Sequence, residues 1–412
     1  MRILLINKFL RPVGGTETIF FNEWRWLEAA GHTVIPFGMA HPDNVASPYA
    51  EYWVPAVDYN RPTPGQLREL VWSRTAAARL AALITATRPE AAHLHNIYHQ
   101  LSPSILPVLQ QANLPSLLTV HDYKLICPNY RLFTGGVPCT RCVSSHPWHA
   151  LLHRCQKDSA AASALVALES SLHRRRQAYA PVDRFIVPSH FVQALLVRGG
   201  FPAGKLQIIP HAIPAPAPPA PTPPGGAPPV VLYAGRLEPE KGLDILLTAA
   251  AQLPDIPFAI AGEGSLGPAI AHELTRPALA NVRLLGKLSP AGLAAARQSA
   301  RLAVVPSVWY EVFGLSALEA LQAGLPVVAS RMGGLAEVVQ HEQTGLLVPP
   351  GDAPALAAAI RQLWDDPGRA QQMGRAGQAY VQQHHRPEQY TAALLAAWQA
   401  IRGEPAATPA AA

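Results

Sequence analysis

The chain of 412 residues is poor in charge, has few cysteines and lacks any long apolar run. No apolar stretch approaches the ~18 residues that a membrane-crossing helix needs, which excludes an integral helical membrane protein. The opening MRILLINKFL ends too soon, at Arg11-Pro12, to be a signal peptide and reads as a first β-strand. The expectation is therefore a cytoplasmic protein. Charged residues make up 15% and hydrophobic residues 49%, so the chain is globular, with few surface charges and length for two or three domains. No nucleic-acid motif occurs, and aromatic residues do not interleave with basic ones, so nucleic acid is not expected as a partner.

The four cysteines, Cys127, Cys139, Cys142 and Cys155, are confined to one stretch with the spacing C-x11-C-x2-C-x12-C. Cytosolic chemistry disfavours disulfides. A tetrahedral four-thiolate structural zinc that staples a loop fits this spacing. A zinc ribbon usually shows two Cys-x2-Cys knuckles and this stretch shows one, so free thiols or a redox pair stay open.

What is present is βα alternation in two halves. Between them runs IPAPAPPAPTPPGGAPP, residues 213–229, whose proline density forms an extended linker. Through Ala212 the chain carries 20 Lys+Arg against 12 Asp+Glu, and the remainder 13 against 15. The basic first half suits an anionic partner such as a membrane surface. It holds an amphipathic helix expected over Gln66–Thr87 with Arg68, Arg74 and Arg79, and a cluster His173-Arg174-Arg175-Arg176 closing a helical stretch over 159–179. Both invite a lipid-headgroup or acidic-acceptor reading beside the plainer one of solvated helix faces.

Candidate site residues fall at strand ends. Gly14 and Gly15 lie between the first strand and the first helix, where glycine lets a phosphate or sugar approach the backbone, though an ordinary turn would look the same. His93 and His95 share one face of a strand over Ala91–Ile97. No carboxylate accompanies them in the sequence, so a cleft-lining strand end is preferred over a metal site. His121 ends the strand Pro115–Val120. In the second half, Arg236 and Lys241 flank a strand-to-helix loop and offer a fork and a point charge to phosphate oxygens. Gly262-Glu263-Gly264-Ser265-Leu266-Gly267 is a literal G-x-G-x-x-G, which a dinucleotide oxidoreductase would also show. It is not in the first βαβ of the chain, and no acidic residue follows at the required distance. Glu311 and Glu319 bracket Phe313-Gly314-Leu315 at a helix N-terminus, where backbone N–H groups suit a phosphate.

The string from Val305 to Val328, with Pro306-Ser307, Glu311-x-Phe313-Gly314-Leu315, Glu319 and the Ala323-Gly324-x-Pro326-Val327-Val328 end, resembles the E-x7-E signature of the retaining family 4 glycosyltransferases. GG-x-E after the first strand, and G-R-L-x-x-x-K-G at residues 235–242, resemble the opening and the diphosphate clamp of the same family. The resemblance implies the GT-B fold: two doubly wound Rossmann-like domains facing across a cleft. Its boundaries would be an acceptor-binding domain at 1–212, with the Cys-rich insertion at about 124–158, the linker at 213–229, and a nucleotide-sugar domain at 230–383. A helix at 384–402 would cross back to the first domain, and a disordered tail would occupy 403–412.

The implied activity is transfer of a sugar, with retention, from a UDP- or GDP-linked donor to the hydroxyl of a glycan or lipid-linked acceptor. Cell-surface polysaccharide or glycolipid assembly, peripheral at the inner face of the membrane, is the implied setting. Arg236, Lys241 and the N–H groups at Phe313–Leu315 would stabilise the departing diphosphate, with no metal required for catalysis. Glu319 would take the ribose hydroxyls, Glu311 and His121 the sugar. Gly14, Gly15, Gly262, Gly264 and Gly286 would border the donor. The competing readings are a GT-B-fold sugar-nucleotide epimerase and a non-catalytic nucleotide-sugar-binding protein.

Overall fold

A computed structural model describes residues 1–56, 63–215 and 228–403. Most of the expected linker and nearly all of the expected tail lie outside the described residues. Short apolar runs buried on both faces suit parallel sheets covered by helices, and two such sheets form. The first contains β1 Arg2–Ile6, β2 Thr33–Phe37, β3 Ala91–Leu94, β4 Ser116–Thr119, β5 Arg184–Val187 and β6 Leu206–Ile208. Their order is β2-β1-β3-β4-β5-β6, every pair parallel. The second contains β7 Val230–Ala234, β8 Phe258–Ala261, β9 Val282–Gly286, β10 Ala300–Val305, β11 Val327–Ser330 and β12 Gly345–Val348. Their order is β9-β8-β7-β10-β11-β12, again all parallel.

In each sheet the strand order reverses once, between β1 and β3 and between β7 and β10. In open α/β sheets a ligand gathers at such a switch point, outside the carboxyl ends of the strands.

The chain divides into two compact units. One comprises Met1–Arg131, Thr140–Ala212 and the chain from Pro387; the other comprises Leu132–Cys139 and Ile213–Arg386. The C-terminal helix Pro387–Arg402 thus belongs with the first unit. Its Trp398 and Leu394 are fully buried, in one apolar cluster with Ile3, Leu5, Phe20 and Leu27. Trp398 Nε1 donates to the Ala92 carbonyl at 3.2 Å, which satisfies the indole in that core.

Two local expectations change. The helix expected over 66–87 is two helices, Pro64–Val71 and Arg74–Thr87. Ser73 interrupts it. The Ser73 hydroxyl accepts the Ala76 N–H at 3.0 Å as an N-cap and donates to Glu69 at 2.8 Å. A serine cap is worth about 1 kcal/mol, enough to start a new helix where Trp72 turns extended. In the Cys-rich insertion, Phe133–Thr134 and Val137–Pro138 form an antiparallel hairpin over Gly135-Gly136, both glycines at positive φ as a two-residue turn demands. The hairpin joins neither large sheet and groups with the second unit, whereas the sequence reading placed the whole insertion in the first domain.

Among the described residues, no helix is long and apolar enough to cross a membrane.

Candidate active site

In the second unit the site is built on the two loops at the switch point. Leaving β7, the chain runs through Gly235 and Arg236 into the turn Pro239–Lys241. Leaving β10, it runs through Pro306 and Ser307 to Glu311. The loops are tied by the Val308 N–H, which donates to the Glu240 carbonyl at 3.0 Å. Gly242 is needed there: it has φ +68, and a Cβ would lie 2.0 Å from the Pro306 carbonyl oxygen.

Lys241 Nζ donates to Glu311 Oε1 at 2.7 Å, and the Ser307 hydroxyl donates to the same oxygen at 2.6 Å. Lys241 also sits over the Trp309 ring, 5.1 Å from its centroid. Burial pushes the Glu311 carboxyl up, but the ammonium and these hydrogen bonds outweigh it and hold it below the usual carboxylate range. Arg236 is more exposed. It donates to Glu240 Oε1 at 3.1 Å, and its carbonyl accepts the Tyr233 hydroxyl at 2.7 Å. A cation pair therefore flanks the loop, with Lys241 locked and Arg236 presented to solvent.

Gly314, at φ +114, is the N-cap of the helix Leu315–Gln322. Among the described residues the Leu315 and Ser316 N–H groups have no protein acceptor, and these orphan donors point out of the helix start. Glu319, one turn on, is paired through Oε2 with Arg297 of the helix Pro290–Gln298. The sequence reading missed Arg297, which lies on an Ala-rich helix with nothing to mark it.

The G-x-G-x-x-G stretch packs against the clamp loop. A Cβ on Gly262 would lie 1.8 Å from the Gly235 carbonyl oxygen, and one on Gly264 2.4 Å from that of Leu237. The Gly235 N–H donates to the Ala261 carbonyl at 3.0 Å and the Leu237 N–H to the Glu263 carbonyl at 2.9 Å. These glycines follow β8, one strand away from the switch point. Close chain packing accounts for them, which removes the support for a dinucleotide fingerprint. Gly286, in contrast, has φ +66 and nothing within 4 Å of where a Cβ would be.

In the first unit the switch point is lined by Asn7 after β1 and Asn96 after β3, neither singled out from sequence. Asn7 Oδ1 accepts the Asn96 N–H at 3.0 Å, and Asn7 Nδ2 donates to buried Glu17 at 3.2 Å. Gly14 and Gly15 open the helix Gly15–Ala29 and are exposed. A Gly14 Cβ would make only an ordinary 3.7 Å contact, so packing does not require that glycine.

His121 lies 2.7 Å through Nε2 from His95 Nδ1, and its ring stacks on His211 at 5.5 Å. Burial, then neighbouring His95 and His211, push the His121 imidazolium well below the usual histidine range. The His93/His95 pair does have a carboxylate: Glu23 of the first helix, with Oε1 2.5 Å from His93 Nδ1 and Oε2 3.6 Å from His95 Nε2. The sequence carried a signal for it, since Glu23 falls on the stripe of Ile19, Phe20 and Leu27 that the helix buries.

Of the four cysteines, Cys127 and Cys142 are buried and Cys139 and Cys155 partly so. Arg174 donates to the carbonyls of Ile126, Cys142 and Ser145, and its charge faces the Cys142 and Cys127 thiols. His173 Nε2 donates to the Val71 carbonyl at 2.8 Å. Half of the basic cluster is thus spent on structure.

Two parallel, doubly wound units, each with polar loops at its switch point, define the GT-B class of fold. Solved structures agree. Sucrose-phosphate synthase from Thermosynechococcus elongatus aligns with a TM-score of 0.72 at 23% identity over 98% of this chain and 99% of that one. HepE from Anabaena, in complex with UDP and glucose, aligns with a TM-score of 0.65 at 22% identity over 95% and 98%. The model "Glycosyltransferase Family 4" matches residues 13–215, and "Glycosyl transferases group 1" matches residues 219–380. The chain belongs to the family 4, group 1 glycosyltransferases. Among relatives, a glycogen synthase of Mycobacterium tuberculosis is 43% identical over 155 residues, 35% of this chain and 36% of that protein. A D-inositol 3-phosphate glycosyltransferase of Corynebacterium aurimucosum is 40% identical over 165 residues, 37% of this chain and 39% of that protein. The matched stretches span little more than a third of either relative.

Proposed function

We propose that the protein is a retaining glycosyltransferase that moves a sugar from a UDP- or GDP-linked donor to an acceptor hydroxyl. The observation that carries this reading is the Lys241–Glu311–Ser307 cluster, with Arg236 and the unpaired N–H groups of Leu315 and Ser316 on the same pair of loops. Cleavage of the donor bond builds negative charge on the departing diphosphate. Arg236 and the helix N-terminus meet that charge directly, and Lys241 adds a fixed cation held in place by Glu311. That charge stabilisation comes from the chain's own groups, so catalysis needs no metal. Glu319, oriented by Arg297, takes the ribose hydroxyls. Glu311 and His121 take sugar hydroxyls, and a donor phosphate oxygen receives the acceptor's proton on the same face, which gives retention. Complexes of HepE with UDP and UDP-glucose support a nucleotide sugar as the donor class.

We infer further that the four thiols hold a structural zinc, for which the Arg174 charge beside Cys127 and Cys142 favours the thiolate form. Purified protein should contain about one zinc per chain by metal analysis; a metal-free chain with four titratable thiols would refute it. We place the reaction in cell-surface polysaccharide or glycolipid assembly at an anionic membrane surface, on the basic surplus of the first half.

The deciding experiment is calorimetric titration with UDP, GDP and their sugar conjugates. One nucleotide should bind at about micromolar strength, and Glu319→Ala and Arg236→Ala should each weaken it at least tenfold, about 1.4 kcal/mol. Unchanged binding by both variants would show that the donor site is elsewhere. Turnover of the donor to an altered sugar without any acceptor would mark an epimerase instead.

A further inference from the structure

His121 is the end of a buried chain of polar groups whose other members the donor chemistry does not use. Glu23 lies wholly inside the first unit, and three groups converge on its two oxygens. His93 Nδ1 is 2.5 Å from Oε1, the Tyr390 hydroxyl donates to Oε2 at 2.9 Å, and His95 Nε2 faces Oε2 at 3.6 Å. Burial pushes the Glu23 carboxyl up, but the two imidazoles beside it prevail and hold it far below the carboxylate range. An ionised carboxylate only accepts, so each of these groups presents a hydrogen to it.

That requirement passes down the chain. His93 carries its proton on Nδ1, which leaves Nε2 to accept the Thr119 hydroxyl at 2.7 Å. His95 carries its proton on Nε2. The opposite tautomer would set a lone pair against the carboxylate in a dry interior, which is repulsive. His95 Nδ1 is then bare and accepts a hydrogen bond from His121 Nε2–H at 2.7 Å. His121 is left with an unprotonated Nδ1, for which no protein partner exists among the described residues, on a ring that is only partly buried.

A metal ion could in principle join Glu23, His93 and His95. Two ligands of one ion with bonds of about 2.0–2.1 Å stand about 3.3 Å apart in tetrahedral geometry. His93 Nδ1 and Glu23 Oε1 are 2.5 Å apart, which is a hydrogen bond and leaves no room.

We propose that Glu23 is a positioning residue: acting through His95, it fixes His121 as the Nε2–H tautomer and so presents Nδ1 as a hydrogen-bond acceptor for a ligand hydroxyl. The site thereby selects a hydroxyl-bearing sugar over a group that can only accept at that point. The assignment rests on the reading of His121 as sugar-facing, but the tautomer itself is set without ligand.

The test is long-range ¹H–¹⁵N NMR of the full chain labelled at its 16 histidines, with His121 identified by its loss in His121→Asn. In the wild type without ligand, the His121 Nδ1 signal should lie in the unprotonated range and Nε2 in the protonated range. Glu23→Gln should abolish this single tautomer and leave His121 a mixture, because an amide can present either its oxygen or its NH₂ to His95 Nε2. His95→Phe should leave His121 a mixture of tautomers. Nucleotide binding, read on the same samples, reports separately on the second unit, so loss of the transferase reading would leave the tautomer result standing. A wild-type His121 protonated on Nδ1, or one unmoved in both variants, overturns the proposal. If neither variant folds, the wild-type spectrum alone decides it. Stoichiometric metal whose removal shifts His93 and His95 would overturn it in favour of a metal site.

Discussion

Lys241 sets the electrostatics of Glu311, and the consequence can be read against pH. In the wild type the Glu311 carboxyl is held below its ordinary value, so its pairing contributes stability that is complete above the unfolded value, about 4.3, and is lost as pH falls through the folded one. In Lys241→Met burial remains, opposed only by the hydrogen bonds from Ser307 and Trp309. Burial then raises the carboxyl above its ordinary value, and the sign inverts: stability should decline as pH climbs from about 4 to 7. Urea unfolding across that range should show the reversed slope and a loss of about 3 kcal/mol at neutral pH, the low end for a broken buried pair because Lys241 keeps some solvent. At this scale sequence was informative where a side chain has a local pattern around it. Glu311, Glu319, Arg236 and Lys241 stood out because their neighbours mark turns and helix starts. Arg297, Asn7 and Asn96 did not, since each acts through a partner 22 to 89 positions away that only the fold supplies.

The helix Ala160–Arg175 shows how an element divides its charges. Arg174 is held by three carbonyls, and His173 is buried, while Arg175 and Arg176 are exposed, with Arg176 over the Trp72 ring at 5.7 Å. On this helix only the last two are left to meet a membrane. Flotation with anionic vesicles should bring wild-type protein to the top fraction, and Arg175→Ser with Arg176→Ser should cut the floated share severalfold, as expected for about 1 kcal/mol per surface charge. A wild type that stays at the bottom removes the membrane setting. Strands were legible because apolar runs between glycine and proline punctuation have one interpretation in an alternating chain. The break at Ser73 was not: the stretch 66–87 keeps an amphipathic pattern across it, and the cap uses a side chain that mid-helix serine would also carry. The hairpin at 133–138 was missed for a similar reason, because two-residue strands leave no periodicity to detect.

At the scale of the whole molecule, the parallel sheets followed from βα alternation, and the family from the strings around Glu311 and Arg236. The return of the helix at 384–402 to the first domain was expected from the family resemblance alone, since nothing within residues 387–402 names the partner of Trp398. A chain ended after Arg386 should lose the first unit selectively. Hydrogen exchange should show β1–β4 deprotected and β7–β12 protected, and Trp398→Ala alone should cost about 3–5 kcal/mol in that unit. Equal protection of both sheets in the shortened chain would contradict this. The same helix sets a timetable for synthesis. Chains are made from the N-terminus, and domains usually complete in that order. Here the first unit waits for a segment made after the second unit, so on the ribosome the second unit can close while the first still lacks the wall that covers Ile3, Leu5 and Phe20. Any early stop between Arg386 and Trp398 would release a molecule whose later-made half is finished and whose earlier-made half is not, a ready substrate for chaperones and proteases.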